Sequence, residues 1–357
     1  MNYPPLWLRI LLWPLSWIYS GVTRVRRNWY ERGFLSSFPL PGIVISIGNI
    51  EAGGTGKSPM TLELCRTLLA EGARPVILTR GYKSGLSAKE SAVLLGEKVL
   101  LQAENTLSFV ADEARMQAAA LETIPIVLGS DRHNAAKRYL KHFPEPTHWI
   151  LDDGFQHQRI RRDLDVVLLD AKRPFDNGHC LPAGLLREGK RSLKKADWII
   201  FTRADGQDPK AELIAELNEL KVPYSAVNFI SGEPHPIKDG QPHWSEIGAW
   251  TLALGVAKPD RVESGISRFN LKVKHRVTFA DHETFDKKSL ALCLETSDAL
   301  LTTEKDYWRE KAYFDRLDKP VYLIPLSISW QKGASFPQIL EVLTQNLPKI
   351  SPDISKT

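Results

Sequence analysis

The sequence predicts an α/β fold with a mostly parallel sheet, on three observations. Apolar β-branched runs alternate with helix-period segments from residue 43 to about 201. A glycine-rich turn stands between the first such run and the first helical segment after it. A second, shorter strand and helix series follows a break rich in proline and glycine at 231–245. The length of 357 residues suits about two domains, each able to bury its own core.

The N-terminal element, residues 1–30, reads as a helix of unusual surface. Trp7, Trp13, Trp17 and Trp29 are four of the ten tryptophans, and Arg24, Arg26, Arg27 and Arg32 follow its apolar part. The charge-free stretch from Ile10 to Thr23 has 14 residues, whereas a spanning helix needs about 20. Indole and guanidinium groups flanking an apolar helix suit a membrane interface. A signal peptide would export whatever follows it, and a buried N-terminal helix would hide these tryptophans; both stand as alternatives.

Ile43–Ile47 is the first strand. It runs into Gly48-Asn49-Ile50-Glu51-Ala52-Gly53-Gly54-Thr55-Gly56-Lys57-Ser58, and Pro59–Glu71 follows as a helix. Strand, glycine-rich turn, Gly-Lys-Ser and helix is the layout of a phosphate-binding loop. Glycine lets the backbone wrap phosphate oxygens, and the helix N-terminus presents N–H groups and positive dipole. Residues 51–58 would then cradle the phosphates, with Lys57 on the β/γ-phosphates and Ser58 on Mg²⁺. Glu51 stands where the general pattern has its first glycine. The domain is thus P-loop NTPase-like over 31–230, with further strands at Pro75–Leu78, Ile124–Leu128, Trp149–Leu151, Val166–Leu169 and Trp198–Phe201 and helices at Asp112–Glu122 and Arg132–His142. Residues 231–245 read as a linker. A smaller α/β domain over 246–357 has strands near Thr251–Leu254, Leu271–Phe279, Ala299–Thr302 and Val321–Leu326. Helices near Pro259–Phe269, Lys287–Glu295 and Pro337–Thr344 complete it, so that it could close over a cleft.

Ligands of such sheets bind at the carboxyl ends of strands, where the polar clusters of this chain fall. Trp149–Leu151 ends in Asp152-Asp153, placed to hold Mg²⁺ beside the loop or to make an ordinary turn. Gln156 and His157 follow and could orient a water or a phosphate. Asp112-Glu113 opens a helix; either carboxylate could accept a hydroxyl proton, and both equally suit a first helical turn. Arg80 and Tyr82 lie after a strand as an anion-binding corner or a plain turn. Arg187 could neutralise a transferring phosphoryl group or pair with Glu188. His282 could tune a base or sit at the surface.

A net charge of +5 is too mild to argue for nucleic acid. Cys65, Cys180 and Cys293 are distant, odd in number and in no metal spacing, which excludes a disulfide framework and a zinc site. No obligate protein partner is evident.

Taken in order, the glycine loop from Gly48-Asn49 to Ser58-Pro59, Arg80-Gly81-Tyr82, Asp112-Glu113, Asp131-Arg132, Asp152 through His157, Arg162 through Asp165, Leu181 through Glu188, Asp281-His282 and Thr302 through Asp306 resemble the tetraacyldisaccharide 4'-kinase family. The resemblance covers most of the chain. The extended glycine loop, with Asn49, and the Asp-Asp-Gly-Phe-Gln-His run are its specific parts. It implies transfer of a phosphoryl group from ATP, with Mg²⁺, to the 4'-hydroxyl of a tetraacylated disaccharide 1-phosphate in lipid A biosynthesis. It further implies a peripheral or monotopic place at the cytoplasmic face of the bacterial inner membrane, with residues 5–30 as the anchor. Carried to this chain, it makes Asp112 the base, His282 its partner, Asp152 and Asp153 the Mg²⁺ region and Arg187 a phosphate ligand. Ala111 and Ala114 flank Asp112-Glu113 where the family has Gly and Pro, and Glu283 follows His282 where it often has a second His. A P-loop GTPase or a membrane-surface scaffold without kinase activity are the rival readings; Glu304-Lys305-Asp306 lacks the Asn and the spacing of the guanine-reading Asn-Lys-x-Asp pattern.

Overall fold

The computed structural model describes residues 6–81, 84, 86–87, 90–101, 112–206, 209, 211–256, 259–279 and 285–344. In chain order its first elements are α1 (Leu6–Glu31), β1 (Ile43–Asn49), α2 (Lys57–Ala70), β2 (Pro75–Thr79), β3 (Ala92–Leu95), β4 (Lys98–Leu101), α3 (Asp112–Ala120), β5 (Ile126–Leu128), α4 (Arg132–His142), β6 (His148–Asp152), β7 (Leu164–Asp170), β8 (Trp198–Thr202), α5 (Ala211–Leu220) and β9 (Tyr224–Ser231). Then come β10 (His235–Pro236), β11 (Trp250–Leu254), α6 (Pro259–Ile266), β12 (Val273–Thr278), α7 (Lys287–Glu295), β13 (Ala299–Thr303), α8 (Glu304–Arg309), α9 (Lys311–Phe314), β14 (Val321–Ile324), β15 (Leu326–Lys332) and α10 (Phe336–Thr344). The chain forms two compact units: Pro4–Leu78 with Leu140–Val227 and Trp330–Thr357, and Thr79–Tyr139 with Asn228–Ser329 and the first three residues.

In the first unit the strands follow the order β9-β8-β7-β1-β6-β2 and run parallel. Strands covered on both faces must be apolar throughout. Accordingly β7 and β8 are buried at every position, and β1 at all but its first. The register sets Ile47 opposite Asp152 and Asn49 opposite Leu168, so the end of β1 lies between those of β6 and β7. Arg162-Asp163-Leu164-Asp165 clasps the other end: Asp163 accepts from Val44 N at 2.8 Å, and Arg162 donates to Asp165 at 2.8 Å. A core of Ile50, Phe155, Val167, Leu186, Ile199 and Phe201 seats the turn after β1.

α1 docks on this unit by one side only. Ser16 Oγ accepts from Ala183 N at 2.9 Å, and Tyr19 packs on the core just named. Trp7, Ile10, Leu11, Trp17, Ile18, Val22 and Trp29 are exposed, Trp17 at 70%. This exposure overturns the buried-helix alternative. Among the described residues no helix is long and apolar enough to cross a membrane.

The second unit holds a sheet of order β10-β14-β13-β11-β12, parallel except for β10, and an antiparallel group β5-β3-β4. The β3–β4 hairpin carries no strong sequence signal and was not expected. Glu304-Lys305-Asp306 proves to be the first turn of α8: Thr303 Oγ1 caps Asp306 N, and the buried Asp306 carboxylate accepts from Gly255 N at 2.9 Å and pairs with Arg309 at 2.8 Å. Asp306 thereby ties the backbone after β11 to the first turn of α8.

Candidate active site

The turn after β1 is built for close approach by a ligand. A Cβ at Gly48 would come within 2.5 Å of Phe155 Cβ and 2.7 Å of its backbone N, so only glycine lets the strand end pass the backbone at Phe155. Gly56 caps α2 at φ +90, a left-handed conformation that favours glycine, and brings no side-chain cap to the helix. The first N–H groups of α2 therefore face the turn, where an anion is stabilised. A Cβ at Gly53 or Gly54 would meet no described atom within 4 Å, so this stretch of backbone opens on space.

Neighbours hold the turn in shape. Asn49 Nδ2 donates to Thr55 Oγ1 at 2.9 Å, and Gln156 Nε2 donates to Asn49 O at 2.8 Å. Ala52 N donates to Leu185 O, Arg187 N donates to Ile50 O, and the buried Glu51 bridges to Leu186. The buried Thr202 Oγ1 donates to Thr55 O at 2.9 Å, and Arg203 donates to Gly54 O and to Asp170. Nothing in the sequence marks Thr202, Arg203 or Asp170 as loop supports; the signal available was their place at the ends of β8 and β7.

Lys57 Nζ lies 3.4 Å from both Asn49 Oδ1 and Gly53 O and 3.7 Å from Asp153. These are long contacts for an ammonium group. Asp153, in left-handed backbone at φ +52, is gripped by Arg187 Nη1 at 2.7 Å. Arg187 thus pairs with Asp153, and Glu188, its alternative partner, pairs with Arg27 of α1 at 2.7 Å. Arg27 also lies over the Phe155 ring at 4.6 Å and donates to Phe155 O at 3.4 Å. Asp152 Oδ1 accepts from Thr61 Oγ1 at 3.3 Å, one turn along α2 from Ser58. His157 contributes backbone: its N–H donates to Gly154 O, and its carbonyl accepts from Arg162 at 3.0 Å.

Asn49, Glu51 through Ser58, Asp152, Asp153, Gln156, His157 and Arg187 therefore all belong to the first unit. Asp112 and Glu113 begin α3 in the second unit, where Glu113 is exposed; Arg80, after β2, is exposed too. Tyr82 and His282 lie outside the described residues.

The donor set fits a nucleotide with Mg²⁺. Among the described residues no group of three or more His, Cys, Asp or Glu could hold a metal alone. Mg²⁺ is commonly bound by one or two carboxylates together with substrate phosphates, and Ser58, Asp152 and Asp153 supply such a partial set beside the open Gly53-Gly54 backbone.

A family model described as LpxK, tetraacyldisaccharide-1-P 4'-kinase, matches residues 8–344. A protein of Geobacter sulfurreducens named tetraacyldisaccharide 4'-kinase is 33% identical over 317 residues, covering 87% of this chain and 86% of that protein. One of the same name from Elusimicrobium minutum is 31% identical over 353 residues, covering 94% and 91%. The fold is that of LpxK from Aquifex aeolicus, solved in complex with ATP, with a TM-score of 0.73 at 24% identity over 94% of this chain and 99% of that one. With its phosphate loop, its Asp152-Asp153 strand end and these matches over nearly its whole length, the chain belongs to the tetraacyldisaccharide-1-phosphate 4'-kinase family.

Proposed function

We propose that the chain transfers the γ-phosphoryl group of ATP to the 4'-hydroxyl of a tetraacylated disaccharide 1-phosphate, a step of lipid A biosynthesis. The observation that carries this reading is the convergence of Lys57, Asp153 and Arg187 beside the open Gly53-Gly54 backbone, in a chain that matches the family from residue 8 to 344. Phosphoryl transfer leaves the protein little covalent work, so its residues act by positioning and charge.

The α2 N-terminus and residues 51–58 hold the phosphates. Lys57, only loosely engaged at 3.4–3.7 Å, turns to the β/γ-phosphate oxygens. Arg187 stabilises charge on the transferring group, and Asp153 keeps it aimed there through their 2.7 Å pair. Ser58, Asp152 and Asp153 would hold Mg²⁺, which when bound neutralises phosphate charge. Asp112 is assigned the proton of the acceptor hydroxyl, with His282 as its partner; Asn49 and Gln156 keep the loop in register, and Arg80, Tyr82, Glu113 and His157 are assigned substrate-orienting roles. The exposed apolar side of α1 lies in the membrane interface at the cytoplasmic face of the inner membrane, where such a lipid resides.

The assignment of the base is tested with Asp112→Asn. Turnover of the lipid is expected to fall about 10²–10⁴-fold with ATP affinity retained. A wild-type rate would place the base elsewhere.

A further inference from the structure

His282 lies outside the described residues, but the residues on either side of its segment are in place. Phe279 N donates to Leu254 O at 2.9 Å, where β12 ends beside β11. Phe285 is buried just ahead of α7. The two rings meet with centroids 4.4 Å apart, so the chain leaves β12 and returns to nearly the same point. Ala280 through Thr284, with His282 in the middle, join them.

α8 closes the base of that segment. Arg309, its last residue, holds its guanidinium 5.0 Å from the centroid of the Phe285 ring, pairs with Asp306 at 2.8 Å and donates to Gly255 O at 3.1 Å. Asp306 in turn accepts from Gly255 N at 2.9 Å. The pair thus takes both backbone polar groups of the residue that follows β11. A Cβ at Gly255 would run into the guanidinium. A planar fork of donors can hold a carboxylate and a carbonyl while its face lies on a ring, which an ammonium group cannot do as well. The same helix bears on the other half of the proton-transfer pair: α8 packs against α3, which opens at Asp112. All these elements belong to the second unit.

We propose that Arg309, with Asp306, is a positioning residue for phosphoryl transfer: by clamping the end of β11 and the base of the 279–285 segment to α8, it sets His282 against Asp112. The proposal rests on the reading of Asp112 as the base and His282 as its partner. Burying two charges brings little net stability over an apolar pair of similar size, so geometry is what this pair adds.

The test is a double-mutant cycle on the full chain, with the tetraacylated disaccharide 1-phosphate, ATP and Mg²⁺. Arg309→Met should cut kcat about 10²-fold, the usual cost of misplacing reacting groups by about 1 Å, with the Kd for ATP and the KM for lipid within about 2-fold of wild type. Arg309→Met strands a buried carboxylate, so Arg309→Met with Asp306→Asn is made beside it; the amide oxygen keeps the bond from Gly255 N. This variant should melt as wild type does and be as slow as the single one. In a His282→Ala background the same substitutions should change kcat by less than about 2-fold, because the residue they act through is gone. Losses that multiply across the two sites, or a wild-type kcat in the folded Arg309→Met with Asp306→Asn variant, would overturn the proposal. Unfolding of that variant would overturn it too, by showing that the pair carries stability rather than geometry. Wild-type turnover in His282→Ala alone removes the reading on which the proposal rests, and the two failures are thereby told apart.

Discussion

Arg27 Nη2 and Glu188 Oε2 meet at 2.7 Å in a buried ion pair, their side chains 9% and 8% exposed, and so join α1 to the segment that carries Arg187. The helix with the exposed tryptophans and the residue that grips Asp153 are thereby parts of one packed body. Breaking a buried pair from one side strands a charge and typically costs about 3–5 kcal/mol, whereas replacing both partners by apolar groups can be nearly neutral. Arg27→Met should accordingly lower the urea midpoint, and Arg27→Met with Glu188→Leu should recover most of the loss. Equal losses in the single and double variants would show that the pair does not carry the docking.

Trp17 and Ile18 are 70% and 63% exposed on the outward face of α1. Burying side chains of this kind is worth roughly 1.5–3 kcal/mol each. Changing both to Glu should reduce cosedimentation with anionic phospholipid vesicles by more than about 10-fold, with nucleotide affinity unaltered. Unchanged sedimentation would move the membrane contact away from this face.

Among the described residues Lys57 makes only long contacts, at 3.4–3.7 Å. Lys57→Ala should therefore leave thermal stability within about 0.5 kcal/mol, as for substitutions away from tight contacts. Its turnover should fall about 10²–10³-fold, the usual loss on removing one charge-stabilising donor. Steady-state kinetics and a melting curve on the same preparation check both.

Asp165 is buried beside Arg162 and Asp197, and burial, opposed by the Arg162 guanidinium, pushes its carboxyl up to about 6. Its pKa is higher folded than unfolded, so between about pH 4 and 6 the folded chain binds more protons at this site. Its contribution to stability therefore falls as pH rises through that window. Partial desolvation lowers the pKa values of the half-buried His148 and the more exposed His235, which act in the opposite sense near pH 6, so the informative quantity is the difference between wild type and Asp165→Asn. That difference should move in favour of the variant by about 2 kcal/mol from pH 4.5 to pH 7. Parallel stability profiles would show that Asp165 does not titrate there.

The parallel sheet was legible because each central strand is a continuous apolar run, and the loop because Gly-Lys-Ser falls between a strand and a helix. Arg187 was legible as a functional charge but its partner was not: Glu188 adjoins it in sequence, yet the chain turns the two side chains to different partners, Asp153 and Arg27. Thr202 and Arg203 stayed hidden because their contacts with Gly54 and Thr55 join segments about 150 residues apart. The β3–β4 hairpin was equally silent, since Lys98–Leu101 is short and half-exposed with no strong turn signal.

Incubation of the purified full-length chain with ATP, Mg²⁺ and the tetraacylated disaccharide 1-phosphate in detergent micelles, followed by mass and phosphorus spectra of the lipid, tests the central claim most directly. The expected result is one added phosphate on the 4'-oxygen, formed in step with ADP and lost in Lys57→Ala. A lipid recovered without new phosphate while ATP is bound or hydrolysed would contradict it.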